Sequence, residues 1–112
     1  MLAEKLGLSH EALFEVASKS SGQCWSLTTY CPVPGPVPGS PANRDYAPGF
    51  AAALMMKDVG LAQQAAQQTG AATPMGARAL ELYRRFVEEG GAESDFSGII
   101  RMLRSLPPSA SA

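Results

Sequence analysis

Residues 49–63 read GFAAALMMKDVGLAQ, and the fold turns on how that stretch is taken. Ala, Leu and Met crowd it, no proline interrupts it, and the adjacent Lys57 and Asp58 are its only charges. In a helix, successive side chains stand roughly 100° apart. Phe50 and Lys57 then fall about 20° apart around the axis, with Asp58 about 80° from Phe50. A ring, an ammonium and a carboxylate would share one side. A solvated Lys–Asp pair on an exposed face is the plain reading of such a pair. The apolar runs AAALMM before it and VGLA after it instead predict burial on most sides. Unpartnered buried charge is costly, so the two groups are expected to face a polar ligand or a partner.

Working outward, helical signals recur and strand signals are nearly absent. Residues 1–6 read as the end of a helix stopped by Gly7, and Ser9 as the N-cap of a helix over 10–19 with Leu13, Val16 and Ala17 on one face. A short helix is expected around Trp25. In CPVPGPVPGSPANRDYAPG (31–49) proline and glycine argue against regular structure. That segment also holds Arg44, Asp45 and Tyr46, just after Tyr30, which favours an ordered functional loop over a passive spacer. The helix of the opening stretch is expected over 50–68, ending near Gly70. Thr73 and Pro74 offer a cap and a first-turn proline for the next helix, to about Glu89, burying Met75, Ala79, Leu82, Tyr83 and Phe86. Gly90 and Gly91 stop it. Ser94 and Asp95 begin the last helix, where Phe96, Ile99, Ile100 and Leu103 recur at i, i+3, i+4 and i+7. The expected fold is all-α, one helical domain over 1–106 with a frayed tail over 107–112.

Composition narrows the function. A chain of 112 residues holds one modest core. A net charge of −1, with Lys and Arg scattered, gives no footprint for nucleic acid. No apolar stretch reaches the roughly 20 residues of a membrane span. The start MLAEKLGLSHEA carries no secretory pattern, so a cytoplasmic setting is expected, with Cys24 and Cys31 as free thiols. His10 is the only histidine, which leaves no zinc set and few hydrolytic schemes. Cys24 has no base near it in sequence. Trp25 reads first as a packing residue with a pocket role open. Arg44 is expected to pair with Asp45 or another carboxylate, its alternative being an anion held by its fork of donors. Arg84 and Arg85 are expected on an exposed side. No βαβ unit with a glycine-rich turn is present, so the chain cannot by itself hold a dinucleotide in the usual way.

The elements SSGQCWSLTTYCPVPG, GFAAALMMKDVGLA, Thr73–Pro74 and DFSGII, in that order, resemble the C-terminal domain of the β-hydroxyacid dehydrogenases, a 6-phosphogluconate dehydrogenase-like helical domain. The resemblance covers about residues 3–104. Phe50, Lys57, Asp58, Leu61 and Ala62 match the family's second-domain signature, and the CW and PVPG elements point to its 3-hydroxyisobutyrate branch. The resemblance implies that Lys57 contacts a nicotinamide cofactor, NAD, across a domain cleft, and that Phe50 and Asp58 border the substrate pocket. An ammonium can satisfy polar groups of the cofactor, and a ring helps to exclude water from hydride transfer.

The departures from the family pattern matter equally. Its Rossmann domain with GxGxMG, its serine–glycine substrate loop and its catalytic lysine in GxGxxxK have no match here. MLAEKLG matches only the end of the interdomain helix, so Lys5 is not that lysine and no catalytic residue is expected in the chain. The resemblance thus implies one part of a longer enzyme, a homo-oligomer in the family, inactive alone. It would act in valine breakdown on a 3-hydroxy acid, converting 3-hydroxyisobutyrate to methylmalonate semialdehyde. Two alternatives stand beside it: another β-hydroxyacid reductase acting on tartronate, glyoxylate or succinate semialdehydes, and a purely structural helical association module.

Overall fold

The computed structural model describes residues 1–109. The end of the expected tail, 110–112, lies outside the described residues. Helix α1 spans Leu2–Lys5, α2 His10–Ser18, α3 Trp25–Thr28, α4 Ala52–Thr69, α5 Pro74–Phe86 and α6 Ile99–Ser105. The described residues contain no strand, only an isolated antiparallel bridge between Ala51 and Asp95. The all-α expectation holds.

Local chemistry sets most boundaries. Gly7 (φ +80°) and Gly70 (φ +73°) take the left-handed conformation that ends α1 and α4. The Ser9 hydroxyl accepts from the Ala12 amide (3.1 Å), as expected of a cap. Pro74 occupies the first turn of α5, but the Thr73 hydroxyl does not cap that helix; it donates to Gln63 Oε1 (3.1 Å). A π-type turn over Val87–Gly91, with Gly90 at φ +101°, closes α5. The proline-rich loop is ordered and contains one turn of 3₁₀-helix, Pro41–Arg44. A single side chain organises it: the Asn43 amide donates to the Val37 carbonyl (2.9 Å) and its oxygen accepts from the Gly35 amide (3.0 Å).

The core lies where α4, α5 and α6 meet. Ala52, Phe86 and Met102 form its centre, flanked by Leu82, Tyr83, Val87, Ile99 and Leu103. A second small cluster joins Ala42, Tyr46 and Ile100, so the loop is packed onto α6. Two expectations about faces fail. Met75 is exposed, and Leu80 takes the buried place beside Phe86 on α5. On α2 it is Leu13 and Val16 that face outward, and none of its residues is buried. The reason is common to both: each helix packs on one side only. The radius of gyration, 15.1 Å, exceeds the about 13 Å of a compact chain of this length. Met1, Leu2, Leu6, Leu8, Leu54 and Leu61 are exposed as well. No helix among the described residues is long and apolar enough to cross a membrane.

Candidate functional site

Asp95 precedes the 3₁₀ turn Phe96–Gly98 that leads into α6, and its side chain is wholly buried, 0% exposed. Its two oxygens divide their work. Oδ2 accepts from the Ser97 amide (3.0 Å) and the Ser97 hydroxyl (2.5 Å), which caps its own element. Oδ1 accepts from the Tyr30 hydroxyl (2.6 Å), the Gly49 amide (2.9 Å) and the Phe50 amide (3.0 Å). Burial alone pushes the carboxyl upward, but the bonds from Ser97, Tyr30 and the Phe50 amide outweigh it and hold the group below its ordinary range. Asp95 is therefore an anion saturated with donors.

Around it runs a row of rings. Trp25 stacks on Tyr30 (centroids 5.1 Å, planes 22° apart), Tyr30 stacks on Phe96 (5.0 Å, 18°), and Phe50 meets Phe96 edge-on (6.0 Å, 77°). The row is open at one end, where Trp25 is 59% exposed. Beside it lies an apolar hollow of about 410 Å³ lined by Tyr30, Pro32, Tyr83, Phe96, Ile100 and Leu103. Burial, then the bond to Asp95, pushes the Tyr30 phenol up to about 12. Burial, then the Asp95 charge, does the same to Tyr83. Both phenols stay neutral, and the proton of Tyr30 is committed to Asp95. Gly49 is required by this packing, since a Cβ there would lie 2.5 Å from the Tyr30 oxygen.

The charged pair of the opening stretch sits elsewhere. Lys57 Nζ lies 3.2 Å from Asp58 Oδ1, and the two side chains are 60% and 52% exposed. The expected burial is not found. Along α4 only Ala52 and Ala66 are buried, because α5 and the turns over Val87–Gly91 and Phe96–Gly98 cover one side of the helix and the other is left open by the described residues. Leu54, Asp58 and Leu61, at i, i+4 and i+7, form an exposed stripe with Lys57 beside it. Phe50 lies two residues before the helix, and Ala51 is extended (φ −66°, ψ 144°). The helical projection from Phe50 to Lys57 and Asp58 therefore does not apply. Phe50 is placed by Asp95 and by its carbonyl, which accepts from the Phe96 amide (2.8 Å). The structure brings the Phe50 ring to Phe96, and through Phe96 and Asp95 links it to the Tyr30–Trp25 stack, residues the sequence did not tie to it.

The remaining candidates resolve simply. Arg44 does not pair with Asp45; it donates to the Gly39 carbonyl (3.1 Å), while Asp45 pairs with Arg101, whose guanidinium also lies 4.2 Å over the Tyr46 ring. Asp45 (φ +54°) and Tyr46 (φ +58°) both occupy the left-handed region, and that turn separates the two neighbours' side chains. Cys24 is exposed and Cys31 buried, both free. Arg84 and Arg85 are exposed, with Arg85 paired to Glu89. Among the described residues no three side chains form a metal set.

Sequence comparison finds a match over residues 1–103 to the family described as "NAD-binding of NADP-dependent 3-hydroxyisobutyrate dehydrogenase". A probable 3-hydroxyisobutyrate dehydrogenase of Mycobacterium bovis is 52% identical over 105 residues, 94% of this chain and 35% of that protein. An NAD-dependent L-serine dehydrogenase of Pseudomonas aeruginosa is 49% identical over 96 residues, 86% of this chain and 32% of that protein. The solved structure of the 3-hydroxyisobutyrate dehydrogenase of Mycobacterium tuberculosis with L-serine superposes with a TM-score of 0.89 at 53% identity, covering 93% of this chain and 35% of that one. The chain thus spans about a third of the length of the relatives it matches.

Proposed function

The chain belongs to the NAD-binding family of the 3-hydroxyisobutyrate dehydrogenases, and from that membership we propose that it forms the helical side of the cleft in an NAD-dependent enzyme oxidising 3-hydroxyisobutyrate to methylmalonate semialdehyde. In this reading it works in valine breakdown, in the cytoplasm, as a homo-oligomer. The dinucleotide is held mainly by a Rossmann-type domain, and the catalytic lysine stands near the start of the interdomain helix whose end matches MLAEKLG. The observation that carries the reading is the exposed face of α4, where an ion pair with unused hydrogen-bonding capacity sits between Leu54 and Leu61. Such a face favours a polar ligand at its centre and an apolar surface at its rim.

The residues present suit one wall of an NAD site and no more. The described part has no strand to build a phosphate cradle, but Lys57 offers an exposed ammonium whose ionic partner among the described residues is its neighbour Asp58. When bound, NAD supplies the hydride acceptor. Lys57 donates to polar groups of the cofactor and neutralises part of their charge. Asp58 accepts from the substrate side, and the Phe50 ring shields the reacting carbon from water. The choice between NAD and NADP belongs to the ribose-reading residues of a βαβ unit, outside this helical part.

Surface supports the assembly part of the proposal. The accessible area is 7253 Å², against the about 5,900 Å² expected of a compact chain of this mass. The excess of roughly 1,400 Å² is more than the about 800 Å² per partner that a standard specific interface conceals. A groove of about 630 Å³ lined by Leu2, Lys5, Arg78, Leu82, Leu103 and Leu106 adds to it.

Mixing the chain with the NAD-binding domain of a close relative tests the proposal. NADH production from 3-hydroxyisobutyrate is expected, and Lys57→Ala should lower it on the order of 100-fold. Association that proceeds equally well with Lys57→Ala, and never yields NADH, would leave only the association module.

A second substrate has an observation in its favour. One relative is named for L-serine and the similar structure contains it. L-Serine is also a 3-hydroxy acid, with an ammonium where 3-hydroxyisobutyrate has a methyl group. Asp95 is saturated and buried, which leaves the exposed Asp58 as the carboxylate of the proposed site free to accept hydrogen bonds from that ammonium. The ratio of kcat/KM for the two acids, and its change in Asp58→Asn, decides between them.

A further inference from the structure

We infer that Asp95 is a positioning residue that sets the two substrate-facing aromatic groups of the site, Phe50 and the Trp25–Tyr30 stack, through a single oxygen. The inference rests on the reading of Phe50 as a pocket residue. Its physical basis is independent of that reading.

Three donors from two separate segments converge on Oδ1: the Tyr30 hydroxyl (2.6 Å) from the residues after α3, and the Gly49 and Phe50 amides (2.9 and 3.0 Å) from the entry to α4. Neither segment is held to the other by helix or sheet. The Tyr30 ring in turn carries Trp25 on one face and Phe96 on the other, so the direction of the phenol fixes the stack. Backbone bonds complete the frame: the Phe96 amide donates to the Phe50 carbonyl (2.8 Å) and the Asp95 amide to the Tyr46 carbonyl (2.9 Å). Gly49 allows the phenol oxygen to approach without meeting a side chain. The other oxygen, Oδ2, bonds only to Ser97 of its own turn. The carboxylate thus separates a structural side from a site-facing side, and the two can be cut independently.

That division gives a control. Asp95→Asn removes charge and one acceptor while keeping the shape. Tyr30→Phe removes only the phenol arm. Ser97→Ala removes one bond at Oδ2. Trp25 is the single tryptophan of the chain, so its fluorescence reports the stack directly. Trp25 being 59% exposed already, acrylamide quenching of the full chain should rise by up to about 1.5-fold in Asp95→Asn and Tyr30→Phe, and stay at the wild-type value in Ser97→Ala. Hydrogen exchange at the Gly49 and Phe50 amides, relative to amides of α5, should accelerate at least about tenfold in Asp95→Asn and remain unchanged in Tyr30→Phe.

Should Asp95→Asn lose its helicity, Tyr30→Phe and Ser97→Ala carry the test. Unchanged quenching in Tyr30→Phe overturns the inference, as does Ser97→Ala loosening Trp25 equally. A chain whose Trp25 responds as expected, yet never supports NADH formation beside an NAD-binding domain, would sink the dehydrogenase reading and leave this role standing.

Discussion

Two carboxylates, Asp58 and Asp95, show how differently one functional group is used in a chain this small. Asp95 is buried and receives donors on both oxygens. Asp58 is half in solvent and, among the described residues, meets the ammonium beside it. A saturated anion has nothing left to offer a ligand and holds architecture; an exposed one contributes little to folding and keeps its lone pairs for binding. Burial and availability are opposed here. The residue that looks most unusual in the fold is the one that arranges the site, and the residues available to a ligand look ordinary.

Four experiments would break or sharpen that contrast. Asp95→Ala strands the Tyr30 hydroxyl, the Ser97 groups and the Gly49 and Phe50 amides, and should cost about 3–5 kcal/mol in denaturant titrations; a loss below about 1 kcal/mol would make Asp95 no different from Asp58. Lys57→Ala should leave stability within about 0.5 kcal/mol and lower turnover in the reconstituted enzyme on the order of 100-fold. A folding defect there would show that the exposed pair is structural after all. Gly49→Ala drives a methyl group against the Tyr30 oxygen and should cost about 1–3 kcal/mol through overpacking, with Trp25 emission altered while the carboxylate itself is intact.

The smallest effect is at the acid limb of stability. Hydrogen bonds from Arg104, then His10, lower the Glu4 carboxyl from 4.5 to about 2. A group whose pKa falls on folding stabilises the native state fully above its unfolded value. This contribution should therefore begin to fade below about pH 4.5 and be gone below about 2. Asp95 is also lowered and acts in the same direction. Glu4→Gln should flatten part of the acid limb in thermal melts.

Much of the fold was legible because its signals are local. Gly7, Ser9, Gly70, Pro74 and Gly90 mark boundaries by their own backbone preferences, and each does so in the structure. Faces were less legible. Met75 and Leu13 follow the period of a buried stripe, but a periodic pattern does not say whether the covering surface belongs to the same chain. The same gap explains Lys57 and Asp58, expected to be enclosed and found open on α4. Asp95 was readable as a helix start from Ser94–Asp95 before a hydrophobic stripe, and its cap bond to Ser97 confirms that. Its grip on residues 46 and 65 positions away is long-range and leaves no local pattern. The row Trp25–Tyr30–Phe96–Phe50 is invisible in sequence for the same reason.

The Glu4 carboxylate has a further consequence. It accepts from Arg104 at both oxygens (2.8 and 3.3 Å) across 100 positions of sequence. Helices α1 and α6 are thereby clamped to each other by one ion pair across the groove that Leu2, Lys5, Leu103 and Leu106 line. Arg104→Gln should therefore release α1 while α4 and α5 keep their places, which faster hydrogen exchange at the Lys5 and Leu6 amides, relative to amides of α5, would report.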